Sequence, residues 1–192
     1  MTRLTRLCRA VGVAAVVAAA TLSTTQAAYA GPDGPTLPPG TEGIAVPAGN
    51  KVFLVGHATG VQTYKCNAGQ LATTGSVPTA DLVGNNDTNV IIKHSAGPSW
   101  TATDGSTAIK DPAVNNVSAP SPTGSIPWLL LTTKGAAGPN GDRLAGTTFI
   151  QRVNTTGGVS PGGACTADLP VPYTADYYFW KATGNPTSKP VT

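Results

Sequence analysis

Few residues in this chain could do chemistry: charged side chains make up 11% of its 192 residues, and there are two histidines. Three stretches concentrate what there is. His94-Ser95-Ala96-Gly97-Pro98-Ser99-Trp100 runs on to Asp104-Gly105-Ser106, Gln151-Arg152-Val153-Asn154-Thr155 follows, and Tyr173–Trp180 sets Asp176 among aromatics. A pocket where His94, Asp104, Arg152 and Asp176 converge beside Trp100 and Tyr64 would bind a carbohydrate or another polar small molecule. An aromatic ring would take the ligand's apolar face, and the charged groups would bond its oxygens. A second reading makes His94 a general base oriented by Asp104 or Asp176, as in a secreted hydrolase or lyase. In a structural reading the same residues are core, with Trp100 and Trp128 inside and Arg152 paired to Asp176 between neighbouring strands. The expected function is a non-catalytic extracellular or cell-envelope binding module.

Other motifs fail on mechanism. Gly158-Val159-Ser160-Pro161-Gly162 matches the G-x-S-x-G nucleophile elbow, but the oxyanion hole needs the N–H of the residue after the serine. Here that residue is Pro161, which has none. No Gly-x-Gly spacing occurs, so a dinucleotide or phosphate loop of that kind is excluded, and no cofactor is expected. His57 and His94 lack the partners of a zinc motif, so no metal is expected. Asn85-Asn86-Asp87-Thr88-Asn89 carries oxygen donors at calcium-like spacing, which an Asx-rich turn explains equally well. Asn86, Asn116 and Asn154 each begin an N-x-[ST] triplet.

The elements that must position these groups read as strands. Apolar runs of four to eight residues alternate with Gly, Asn, Asp and Pro, and none reaches helical length. Strands are expected at Lys51–His57, Val61–Cys66, Asn89–His94, Ser99–Thr103, Trp128–Thr133, Thr147–Asn154 and Thr174–Lys181. Asp104-Gly105, Pro139-Asn140-Gly141 and Gly157-Gly158 supply turns, and Ser118–Ser125 reads as a surface loop. Runs such as VFLV and WLLL are apolar at consecutive positions, as in strands covered on both faces. The expectation is an all-β, single-domain sandwich or small barrel over 43–183. Gly31–Gly40, with its four prolines, opens a disordered leader over 31–42, and 184–192 form a flexible tail.

Residues 1–30 read as a signal peptide. Arg3, Arg6 and Arg9 precede the short apolar run Ala10–Leu22, and Ala28-Tyr29-Ala30 offers a cleavage site after Ala30. An uncleaved membrane anchor is the weaker alternative, since the run is too short to span a bilayer comfortably. Three of the twelve Lys and Arg fall in this segment, leaving nine against nine Asp and Glu. A near-neutral mature chain lacks the basic footprint that nucleic acid or an anionic membrane surface would need. Nothing in the sequence fixes the oligomeric state. Cys8 leaves with the signal, so Cys66 and Cys165 remain for an oxidising compartment and are expected to pair. That bond closes a loop of about 100 residues, worth up to about 4.7 kcal/mol by chain entropy.

Taken together and in order, certain motifs resemble a known family. They are Gly60–Cys66 (GVQTYKC), His94–Trp100 (HSAGPSW) with Asp104–Ser106 (DGS), and Ile126–Leu131 (IPWLLL), then Ile150–Gly158 (IQRVNTTGG), Cys165 and Tyr173–Trp180 (YTADYYFW). From about Gly43 to Lys181 the chain is similar to the exported bacterial and fungal proteins grouped as domain of unknown function 3455. The resemblance implies export and names no reaction. Ser95 stands where that pattern leads one to expect an aromatic after the histidine.

Overall fold

The computed structural model describes residues 34–85 and 88–184. The expected signal peptide, the tail beyond Gly184, and Asn86 and Asp87 of the Asx-rich turn lie outside the described residues. Among the described residues a 3-10 turn at Glu42–Ile44 precedes eleven strands. These are β1 Asn50–Tyr64, β2 Cys66–Asn67, β3 Gln70–Leu71, β4 Val77–Gly84, β5 Val90–Ser95 and β6 Ser99–Ala102, then β7 Thr107–Lys110, β8 Val117–Ala119, β9 Trp128–Ala136, β10 Thr147–Gly157 and β11 Leu169–Ala182.

Eight of these strands close into an antiparallel barrel in the order β10-β11-β1-β4-β5-β6-β7-β9, with β9 returning to pair with β10. Of the two expected all-β forms, the barrel is the one observed. Closure leaves its wall without a free edge. On one side of β9, β7 pairs with Thr133–Ala136 and the short β8 with Trp128–Leu130. β2 and β3 form a small hairpin outside the wall. The Cys66–Cys165 disulfide ties that hairpin to the loop before β11, at a Cα–Cα distance of 5.8 Å. The expected bond is present.

Side chains alternate across the wall with period two. On β11, Tyr173, Ala175, Tyr177 and Phe179 fill the barrel with Leu82, Ile92, Trp100, Leu131 and Ile150. A second apolar cluster lies outside the wall, where Leu37 and Ile44 cover Trp128, Leu130, Val153 and Trp180. The two clusters explain why WLLL is apolar throughout: Leu129 and Leu131 pack with the interior, Trp128 and Leu130 under the N-terminal strap.

That strap corrects the expected leader. Within 34–42, Leu37 is 1% exposed and Thr41 is 5% exposed. The buried Gln151 side chain reaches out of β10, its Nε2 donating to the Ile44 carbonyl at 2.8 Å. Leu37 and Ile44 supply enough apolar surface to dock a proline-rich segment that has no periodic pattern of its own.

Other differences have local causes. The two strands expected before Cys66 are one, because Gly60 does not break β1. A Cβ there would stand 2.1 Å from the Thr79 carbonyl oxygen, so the glycine admits the β4 backbone. β4 contains Pro78 and Asp81, which masked its strand pattern, and β7 is only four residues long. β8 takes the first part of the expected 118–125 loop into the sheet.

Candidate functional site

The antiparallel topology puts the 96–98 turn, the β2–β3 hairpin and the loop after β10 at one end of the barrel. The β6–β7 turn and the 137–146 loop lie at the other. The second end is plugged. Leu144 is fully buried in the interior cluster, and the Gly138 backbone packs directly on that of Gly105 and Ser106.

At the first end a cavity of about 230 Å³ opens between the strands. Its walls include Gln62 of β1, His94 of β5, Trp100 of β6, Leu129 of β9, Arg152 of β10 and Tyr177 of β11. His94 and Trp100 are directly opposed across the β5–β6 hairpin. Their rings stack at 4.4 Å and 5°, and Tyr177 meets both edge-on, at 5.4 and 5.7 Å. His94 thus has its stacking aromatic after all, from the partner strand rather than from position 95.

His94 is 2% exposed. Its Nδ1–H donates to the Ser99 carbonyl at 2.9 Å, and since a carbonyl only accepts, Nε2 carries the lone pair. Burial pushes the imidazole down to about 4. The Ser99 hydrogen bond works against that shift and the positive charge of Arg152 adds to it. At neutral pH the ring is neutral.

Arg152 donates from Nε and Nη2 to the Pro127 carbonyl, at 3.3 and 2.8 Å. Among the described residues no carboxylate lies within ion-pair distance of its guanidinium. Gln62 is 3% exposed; its Oε1 accepts the Ser76 hydroxyl at 2.7 Å, while its Nε2 is buried with no partner among the described residues. Trp100 Nε1 is likewise buried and unpartnered. Interior Tyr173 and Tyr177 share a hydroxyl contact of 3.3 Å, and burial pushes the Tyr173 phenol well up.

Of the six residues expected to converge, the structure brings together His94, Trp100 and Arg152. Asp104 sits at the plugged end. Its Oδ1 accepts the Ser106 hydroxyl at 2.6 Å and the Ser106 N–H at 2.9 Å, and its Oδ2 accepts the Arg143 N–H at 2.8 Å. Those bonds hold its carboxyl down to about 2 and tie the β6–β7 turn to the 137–146 loop. Asp176 faces the outside of the wall. Register sets Arg152 opposite Tyr177 and Val153 opposite Asp176, so parity sends Arg152 inward and Asp176 outward. The Arg152–Asp176 pair therefore does not form.

Asp176 instead accepts from His57 Nδ1 at 2.6 Å and from Asn154 Nδ2 at 2.8 Å, and His57 Nε2 meets Asn85 Oδ1 at 2.6 Å. With oxygen acceptors at both nitrogens, and Asp176 foremost, the His57 pKa is raised. Tyr64 is a core residue outside the cavity wall; its hydroxyl donates to the Gly158 carbonyl at 2.7 Å and pins the loop after β10. His94 contacts neither Asp104 nor Asp176, so the pairing needed for an oriented general base is absent. The serine of the elbow-like motif serves its own turn, donating to the Ala72 carbonyl and accepting from Gly162 N–H.

Sequence reasoning missed Gln62 and Tyr177. Both were recoverable from parity, Gln62 lying two positions from Tyr64 on β1 and Tyr177 four from Tyr173 on β11. His57 was weighed only as a zinc ligand, and its partners come from β11 and the turn after β4.

The fold and site define a disulfide-linked, eight-stranded antiparallel barrel, plugged at one end and holding a small cavity of mixed polar and apolar lining at the other. The family model described as a protein of unknown function (DUF3455) matches residues 77–181, more than half of the chain, and the chain belongs to that family. The match takes in His94, Trp100 and Arg152. No curated protein and no solved structure matches the chain.

Proposed function

We propose that this barrel is a non-catalytic binding module working outside the cell or in its envelope, and that the open-end cavity receives a polar small molecule or a single sugar unit. One observation carries the reading: Arg152 reaches into the barrel mouth with no carboxylate partner among the described residues. The residue is half-buried, and its guanidinium keeps N–H groups beyond those given to the Pro127 carbonyl. A bound molecule with oxygen acceptors would take them up. The stacked His94–Trp100 pair and Leu129 add an apolar face, the usual composition of a small-ligand site. Catalysis has less support, because among the described residues the wall presents a neutral imidazole and no carboxylate.

The Cys66–Cys165 bond is compatible with an oxidising compartment, and the described residues include no helix long and apolar enough to cross a membrane. The test of binding is thermal shift and calorimetry against monosaccharides, sugar acids and small hydroxy acids. A ligand at a hundred times its Kd should stabilise the native chain by about 2.7 kcal/mol. Arg152→Gln should lower that gain. If no compound shifts the melting temperature, or if Arg152→Gln leaves every shift intact, the cavity is not the site. Recovery of the protein from culture medium, starting near Gly31 and without free thiol, tests the location; a full-length reduced chain retained in the cytosol would overturn it.

A further inference from the structure

The cavity wall is unbalanced between donors and acceptors. Arg152 keeps N–H groups beyond those given to the Pro127 carbonyl. Gln62 Nε2 and Trp100 Nε1 belong to wall residues and have no acceptor among the described residues, but both atoms are sealed from the cavity, as the Trp128 and Trp180 indole nitrogens are sealed elsewhere. Among the described residues no Asp or Glu lines the cavity. The side-chain acceptors are His94 Nε2, the Tyr177 and Ser76 hydroxyls, and Gln62 Oε1, which already accepts from Ser76.

A neutral sugar brings hydroxyls that must donate as well as accept, and this wall offers little to receive them. An ionised carboxylate only accepts, and it matches a guanidinium in both charge and planar geometry. From this imbalance, and resting on the proposed binding role of the cavity, we infer that the ligand is a small organic acid held through its carboxylate by Arg152. The carboxylate completes the missing ion pair, and the remainder of the molecule lies against the Leu129 and Tyr177 walls. A volume of about 230 Å³ corresponds to roughly seven or eight waters of liquid, which suits a compact acid.

Matched pairs that differ in charge separate this inference from the broader reading. Calorimetry on the full disulfide-bonded protein at pH 7 and low salt would compare D-glucuronate with D-glucose and L-lactate with L-lactamide. In at least one pair the acid should bind at least tenfold more tightly than its neutral partner, and added salt should weaken it. Arg152→Gln should abolish that preference, while Arg152→Lys, which keeps the charge, should retain part of it. Binding of glucose or lactamide as tight as that of the acid overturns the carboxylate assignment but leaves a binding cavity. A preference that survives in Arg152→Gln overturns it as well. Failure of all four compounds to bind refutes the assignment and counts against the cavity as a site.

Discussion

His94 gives the sharpest quantitative expectation. Its folded-state pKa is near 4, against 6.5 for the free side chain, because the folded barrel solvates an imidazolium poorly. A basic group whose folded pKa is depressed contributes stability above its unfolded value and loses it as pH falls toward the folded one. The window is therefore pH 6.5 down to 4. At 1.36 kcal/mol per pKa unit, the chain should lose about 3 kcal/mol from this residue by pH 4, a large share of a typical 5–15 kcal/mol. His57 acts in the opposite sense. Its raised pKa contributes stability at low pH that is lost as pH rises through its folded value, so it offsets part of the His94 loss. Asp104, held near 2, gives up most of its contribution below 3.8 and touches only the low end of the window. Urea unfolding followed by tryptophan fluorescence, at half-unit steps from pH 7.5 to 4, would measure the sum. His94→Gln should be weaker at pH 7, having lost the Trp100 stack, but it should not show the fall that the native chain shows. Its stability should instead rise or stay level as His57 takes up its proton. If native and His94→Gln curves run parallel through the window, the buried neutral imidazole is wrong.

Three further outcomes follow from the packing. Replacing Cys66 and Cys165 with serine should cost 2–5 kcal/mol, read as a lower urea midpoint, with the same change on reduction of the native protein. Leu37→Ala should cost 2–5 kcal/mol, because that side chain is 1% exposed under the strap; a change within 0.5 kcal/mol would return 34–42 to the status of a free leader. Gly60→Ala should destabilise by at least 1–3 kcal/mol, since its Cβ would lie 2.1 Å from the Thr79 carbonyl oxygen, and a Gly60→Ala chain of native stability would show that β1 and β4 separate easily there.

The all-β class and the cysteine pairing were legible because each depends on local pattern or on simple counting. Short β-branched and aromatic runs between turn residues allow little but strands, and two cysteines allow one intramolecular bond. Choosing the barrel over the sandwich required the β9–β10 pairing, a contact between Leu129–Thr132 and Phe149–Arg152 that no local pattern encodes. The strap was hidden for a related reason. Leu37 and Ile44 stand apart among prolines and glycines, and their burial depends on an outer face of β9 and β10 that exists only once those strands have paired.

For the site, residue type proved less informative than parity. His94, Trp100 and Arg152 meet because each occupies an inward position of its own strand, and the 96–98 turn sets His94 against Trp100 at a separation of six residues. Asp176 has the right chemistry and lies on the strand beside Arg152, yet it stands one residue away from the inward position held by Tyr177. A shift of one residue between β10 and β11 would exchange their faces. It would bring Asp176 inward toward Arg152 and remove the acceptor that holds His57 outside. The β10–β11 register thus keeps a carboxylate out of the cavity while placing a cation in it. That separation leaves Asp176 to hold His57 and Asn154 on the outer face, and it is also the arrangement that the proposed carboxylate ligand needs.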